Sequence, residues 1–461
     1  MGDTGIKQVE LADNRAGALA SNTSDDVFGL LTFLLVVIYV VLNRLVEDIY
    51  TLPVGFSMRP SEAVVVLLGM VLALWMITSH GPLPRGAAGL LGAGLLLILL
   101  LSPLINAPTM SEFEANGAER GLVHGVLLAI LFLATYQVAR NLRHAFIIIW
   151  FILAFTVAQG GVAIYETITR QGFPILGQIW ATLGLQVDPK GFRGQLVDLR
   201  LRLTGETRAA STAPHPIVLS ALLAVGIAIA VILYLNTGSK LRRRLYLVAM
   251  VVQIAALGTT ASRTGFLLFA VAGVLILVTQ IRHLPRSFPV IATLAVGGLV
   301  LASVAPRTPR LILNLFTNPT SDHNVAARVS KIEFISGFLE RRPLIGAGYL
   351  THDRRLVEFD NSYFVFVVEL GMLGLLVLVA FFLVVFFRSY GALSAASAEE
   401  QPLLVIGAVA GITLLVGGAT FGAWSFAQFF PTCLILMAIG LSRSDEIRAR
   451  SGLRVATGDT G

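Results

Sequence analysis

Four stretches of this chain carry side chains suited to handling an anionic substrate. The first is Ser262-Arg263-Thr264-Gly265, pressed between two apolar runs with almost no loop. A guanidinium there is expensive to desolvate. It reads either as a cation snorkelling at an interface or as a fixed cation facing a cavity. The second, Arg208-Ala-Ala-Ser-Thr-Ala-Pro-His215-Pro216, leads into another apolar run. Proline suits the first turn of a helix, where its missing N–H costs nothing. His215 then stands at the helix entrance, as a cap or as a titratable group, with Arg208 just before it. The third runs from Asn324 to about Glu340, where Val325, Val329, Ile332, Ile335 and Leu339 recur at helical spacing and predict an amphipathic helix. Arg328 and Lys331 share one flank of it, and Pro343-Leu-Ile-Gly346-Ala-Gly348-Tyr349 follows as a turn with close backbone approach. The fourth is Asp360-Asn361-Ser362-Tyr363, with Glu369, Gly371 and Gly374 in the apolar run beyond. Asp or Asn before such a run is an ordinary helix N-cap, and Gly-x-x-Gly permits close helix packing. Glu369 is harder to dismiss, because a carboxylate within a membrane normally needs a partner.

The elements that must position these residues are membrane helices. The chain has 461 residues, of which 56% are hydrophobic and 13% charged. Soluble domains run nearer 45–50% apolar and about 25% charged, so lipid is the expected solvent for much of the surface. Apolar runs long enough to span a bilayer fall near 28–43, 61–78, 87–106, 121–138, 145–164, 215–235, 245–261, 265–281, 288–305, 361–387, 402–418 and 424–441. The fold expected is therefore all-α and polytopic, a membrane domain of about 12 helices over residues 28–441. Long connections at 165–214 and 306–360 interrupt it. Residues 1–27 are polar and acidic and lack the basic n-region of a secretory signal; they are expected to form a disordered cytoplasmic tail, and 442–461 a second cytoplasmic tail.

An even number of spans puts both termini on one side, and the positive-inside rule selects which. With the termini inside, the short inner segments hold most of the basic residues, among them Arg140, Arg143, Lys240, Arg242, Arg243 and Arg244. The short outer loops hold only Arg44, Arg59, Arg120 and Arg263. Both long connections then face outward, and they are rich in arginine. Its planar fork matches phosphate or carboxylate, so an anionic lipid-linked substrate fits the net charge of +7 better than nucleic acid does. The single Cys433 lies in an apolar run, which excludes an intrachain disulfide and a cysteine metal cluster.

Taken in this order, the four stretches resemble the O-antigen ligase and O-antigen polymerase family of bacterial inner-membrane glycosyltransferases. The resemblance covers the chain from about residue 120 onward. It is carried by Arg208 to Pro216, by Ser262-Arg263, and by Arg328 through Pro343-Leu-Ile-Gly-Ala-Gly to Gly374. The ligase signature is His followed by Asn, Ser or Gln, then nine residues, then Gly-x-x-Gly. Asn361, Gly371 and Gly374 keep that spacing, but Asp360 occupies the histidine position. The Asp-Asn pair is similar to the polymerases of repeat-unit polysaccharides rather than to the lipid A-core ligases.

The resemblance implies a GT-C-like architecture with a large, partly helical periplasmic loop and a site facing the periplasm. The implied donor is an oligosaccharide on polyprenyl diphosphate, the acceptor is a growing glycan, and membrane lipid and a chain-length regulator are the expected partners. Arg263 and Arg208 are the expected diphosphate clamps, with Arg328 a third cation. Asp360 is the expected base and His215 the alternative base. Asn361, Tyr363 and Glu369 are expected to line the substrate site. No Asp-x-Asp or His/Glu cluster stands at outer-face ligand spacing, so no metal and no cofactor are expected. A ligase differs only in its acceptor. A flippase would bind the same diphosphate without chemistry, and a structural subunit would leave the outward arginines unexplained.

Overall fold

The computed structural model describes residues 27–44, 50–53, 57–79, 84, 86–169, 186–187, 209, 211–280, 289, 292, 335–337, 339–340, 342–352, 359 and 361–457. Its long helices are α1 (Val27–Arg44), α2 (Pro60–Ser79), α3 (Ala87–Asn106), α4 (Glu112–Val138), α5 (Leu142–Thr169) and α6 (Pro216–Asn236). They continue with α7 (Lys240–Thr259), α8 (Arg263–Thr279), α9 (Ser362–Gly391), α10 (Gln401–Thr420) and α11 (Phe429–Thr457). Among the described residues one small sheet accompanies them, in which β1 (Tyr50–Pro53) pairs antiparallel with both β2 (Ser57–Met58) and β3 (Gln186–Val187).

Eight of these helices, α1 to α6, α9 and α10, are long and apolar enough to cross a membrane. The α8 helix is apolar and slightly shorter. In α7 and α11 an apolar stretch continues as the same helix into charged turns, Lys240 to Arg244 and Arg443 to Arg450. The surface agrees with a lipid solvent: Ile77, Leu90 and Leu104 are each at least 70% exposed on helices with few polar groups. The chain is a polytopic membrane protein. Eleven of the twelve expected spans coincide with described helices, and the twelfth, 288–305, lies outside the described residues.

At the centre stands α6, apolar on every face and buried along its length, as a helix must be when other helices surround it. It packs against α5, α7, α8 and α10. Lipid tails are as apolar as leucine, so helix association depends on close packing and small residues. The α10–α11 crossing illustrates this, because a Cβ on Gly407 would stand 2.7 Å from the Gly440 Cα. Successive helices joined by short connections run antiparallel, which gives the bundle two ends. The site end gathers the N-termini of α6, α8 and α9. The opposite end holds Glu400.

At the Glu400 end ion pairs tie the helices together. Glu400 is buried at the start of α10 and accepts from Arg443 (2.5 Å) and from Arg450. Asp445 pairs with Arg388 (2.7 Å) and Glu446 with Arg140 (2.6 Å). These contacts, with Ile447 buried against Ala392 and Leu404, explain why the stretch expected as a tail from residue 442 begins as a continuation of α11, helical through Thr457. Burial pushes the Glu400 carboxyl up, but the hydrogen bonds from Arg450, Arg443 and Ser397 outweigh it and hold the group at about 2. A folded-state value below the unfolded one, about 4.3 for glutamate, means stability present above pH ~4.3 and lost as pH falls toward 2. Thermal unfolding of the detergent-solubilised protein is therefore expected to move to lower temperature across that window. Glu400→Gln should flatten the part of the slope that Glu400 supplies; an unchanged slope would show that the group does not carry it.

Candidate functional site

The site is built from three helix entrances. His215 caps α6: its Nδ1 accepts from the Ile217 N–H (3.1 Å), and Pro216 occupies the first helical position. Because Nδ1 is the acceptor, the ring proton of the neutral imidazole sits on Nε2. With Nδ1 engaged in this way, His215 is fixed at the start of α6. Asn361 caps α9, its Oδ1 accepting from the Tyr363 N–H (2.8 Å). Arg263 is the first residue of α8, directly after the tight α7–α8 connection, where Ala261 takes the left-handed conformation with φ 46°.

The entrances of α6 and α8 lie side by side. A Cβ on Gly265 would stand 2.5 Å from the Ser220 Cβ, so glycine lets the first turns of the two helices touch. The Ala209 N–H donates to the Thr259 carbonyl (3.4 Å), which ties the residue after Arg208 to the turn before Arg263. The α9 entrance joins through the α10–α11 connection: the Ser362 hydroxyl donates to the Phe421 carbonyl (3.2 Å) and accepts from the Trp424 N–H (3.1 Å). Tyr363 packs edge-on against Trp424 at 4.9 Å and donates its hydroxyl to the Leu415 carbonyl (2.9 Å). That bond fastens the start of α9 to α10. Arg208, Arg328 and Asp360 lie outside the described residues.

The Gly-x-x-Gly pair does something other than the close packing expected of it. Gly371 has φ 73° and ψ 178°, which breaks α9 two residues after the buried Glu369. Helix ends inside a membrane need partners for their backbone groups, and the Pro343–Gly348 segment supplies them. The Met372 N–H donates to the Pro343 carbonyl and the Leu373 N–H to the Leu344 carbonyl (3.2 Å each), while the Gly348 N–H donates to the Glu369 carbonyl (2.7 Å). The segment itself is held by Ser102 and Asn106 of α3, which both donate to the Gly346 carbonyl. Gly346 and Gly348 are where the expected close approach occurs: a Cβ on Gly346 would overlap the Glu369 backbone, and Gly348 has φ 133°. Gly374 alone retains a packing role, against Ile98 of α3.

Below Tyr349 an apolar cavity of about 340 Å³ lies between α3, α4, α9 and α11. Small residues of α3 and α4 (Gly89, Gly92, Gly125, Ala129) face phenylalanines 366, 381 and 382 across it.

One polar cluster ties the second stretch, through Thr212, to residues that none of the four stretches contains. Arg44, at the end of α1, is fully buried, donating to the Gln159 amide oxygen (3.2 Å) and the Thr432 hydroxyl (2.9 Å). Gln159 donates onward to the Thr212 hydroxyl (2.7 Å), and that hydroxyl donates to the Arg44 carbonyl (2.8 Å). The Gln428 side chain donates to the Thr212 carbonyl (3.0 Å), and its main-chain carbonyl accepts from the Thr432 hydroxyl. The signal in the sequence was Gln428 and Thr432 four residues apart at the start of one apolar run, with Gln159 in another.

No protein-family model matches the chain, and no curated protein matches it.

Proposed function

We propose that this protein is a polysaccharide polymerase, transferring a polyprenyl-diphosphate-linked oligosaccharide to a sugar hydroxyl at the outer face of a bacterial inner membrane. The observation that carries the proposal is the contact between the α6 and α8 entrances, which brings together the helix starts bearing His215 and Arg263 and the residue following Arg208. Helix N-termini and guanidinium groups both favour a bound anion. In this reading the acceptor oxygen attacks the anomeric carbon and the carbon–oxygen bond to the diphosphate breaks. The diphosphate leaves with the bonding pair, and the hydroxyl proton passes to Asp360. Diphosphate is already a weak base, so it needs charge stabilisation from Arg263, Arg208 and Arg328 more than it needs a proton. The apolar cavity beside the broken α9 suits an isoprenoid chain, being lined almost wholly by hydrocarbon.

The same reading puts the site end in the periplasm and the Glu400 end, with Arg140, Arg143, Lys240 and Arg242 to Arg244, in the cytoplasm. It implies a GT-C-like bundle of twelve spans with both termini inside. A ligase would use the same donor chemistry and differ in its acceptor.

Deletion of the gene and complementation with wild type or Arg263→Ala at matched membrane abundance tests the proposal. Single repeat units outside the inner membrane, with no long chains, are expected in the deletion and the variant alike. Long lipid-linked chains that never reach an acceptor would favour the ligase. Intermediates retained on the cytoplasmic side would favour a flippase.

A further inference from the structure

The Ser211–Ala213 stretch leads toward a helix, yet it is buried. Ser211, Thr212 and Ala213 are each at most 3% exposed, where connecting segments ordinarily run over the surface because their backbone groups need water. Here neighbouring helices supply the partners. The Ser211 N–H donates to the Glu166 carboxylate of α5 (2.9 Å). The Thr212 carbonyl accepts from Gln428, just before α11, and the Thr212 hydroxyl lies between Gln159 and the Arg44 carbonyl. Ser211 also takes a left-handed φ of 54°, a conformation that persists in a non-glycine residue when its surroundings impose it. Arg44 is the hub, because its guanidinium joins α5 to α11 while its carbonyl holds Thr212.

We infer that Arg44 is a positioning residue: through Gln159, Thr212 and Thr432 it fixes the buried segment that delivers His215 to the α6 entrance. The functional half of this inference rests on the reading of that entrance as the transfer site. Lysine cannot replace the guanidinium fully, since one compact ammonium lacks the planar fork that reaches a side chain on each of two helices.

The test uses the full-length protein in lipid nanodiscs with Cys433→Ala and one reporter cysteine. Ser211→Cys reads the segment; Ser389→Cys, buried on α9 at the Glu400 end, reads the bundle at large. Arg44→Met is expected to speed maleimide labelling of Ser211→Cys by roughly tenfold or more, the shift in local opening that loss of a charge-assisted hydrogen bond brings, and to leave Ser389→Cys unchanged. Arg44→Lys should fall between. Thr212→Val, which removes one hydroxyl at nearly constant volume, should give the same selective effect more weakly and serves if Arg44→Met does not insert. An unchanged rate at Ser211→Cys, or an equal rise at Ser389→Cys, would overturn the positioning role. Transfer assays on the same variants separate the two halves. Selective loosening should accompany a fall in kcat of roughly 10- to 100-fold, the scale on which a small misplacement of a reacting group acts. Selective loosening with full transfer would overturn the link to catalysis, whereas a wild-type protein with no transfer at all would fault the polymerase reading and leave the labelling result standing.

Discussion

Arg263→Ala is expected to lower glycan transfer by roughly 100- to 1000-fold, the cost of removing one preorganised donor from developing negative charge. Membrane insertion and abundance should be unchanged, because the residue begins α8 rather than filling its interior, and the α8 contacts that matter for packing are Gly265, Leu268, Ala272 and Ile276. Arg263→Lys should recover only part of the loss, since an ammonium keeps the charge and gives up the two-pronged geometry suited to phosphate. Both variants are best compared by turnover of purified protein at matched abundance. Full activity in Arg263→Lys would exclude a bidentate role, and full activity in Arg263→Ala would remove the residue from the site.

The second large effect is expected at Gly371. Its φ of 73° with ψ of 178° belongs to a region that only glycine occupies without strain. A Cβ there would overlap the Leu344 carbonyl, which accepts from the Leu373 N–H. Alanine therefore meets a conformational cost of about 1–3 kcal/mol. It also threatens the two hydrogen bonds that join Pro343 and Leu344 to the second half of α9, each contributing about 1 kcal/mol. Gly371→Ala should lower the unfolding temperature by several degrees and abolish most transfer by displacing the Pro343–Gly348 segment. Gly161→Ala on α5, where an added Cβ meets open space, is the control expected to behave as wild type. Equal stability of the two variants would mean that α9 tolerates a continuous helix.

The helices were legible because an apolar run of about 20 residues matches the thickness of a bilayer when wound as a helix. Both caps were legible because proline and asparagine have strong positional preferences at helix starts. The break at Gly371 was not. A Gly-x-x-Gly pair in an apolar run is compatible with either packing or a break, and the choice was made by Pro343–Gly348, more than twenty residues away, whose carbonyls stand ready for the orphaned N–H groups. The Arg44 hub was hidden for a related reason. Its partner Thr432 is 388 positions distant, and its other partners are neutral glutamine and threonine that carry no charge pattern. Tyr363 was legible as a polar side chain at a helix start, but its bond to the Leu415 carbonyl, 52 positions away, was not. The extension of α11 past residue 442 depended on Glu400, Arg388 and Arg140, charges whose pairing only the folded bundle brings about.

Reconstitution into liposomes with a polyprenyl-diphosphate-linked repeat unit, products being sized by mass spectrometry, tests the polymerase reading most directly. A polymerase should give a ladder at integral multiples of the repeat, release one polyprenyl diphosphate per bond formed, and lose both in Arg263→Ala. Donor that moves across the bilayer unchanged, with no product longer than one repeat and no diphosphate released, would contradict that reading.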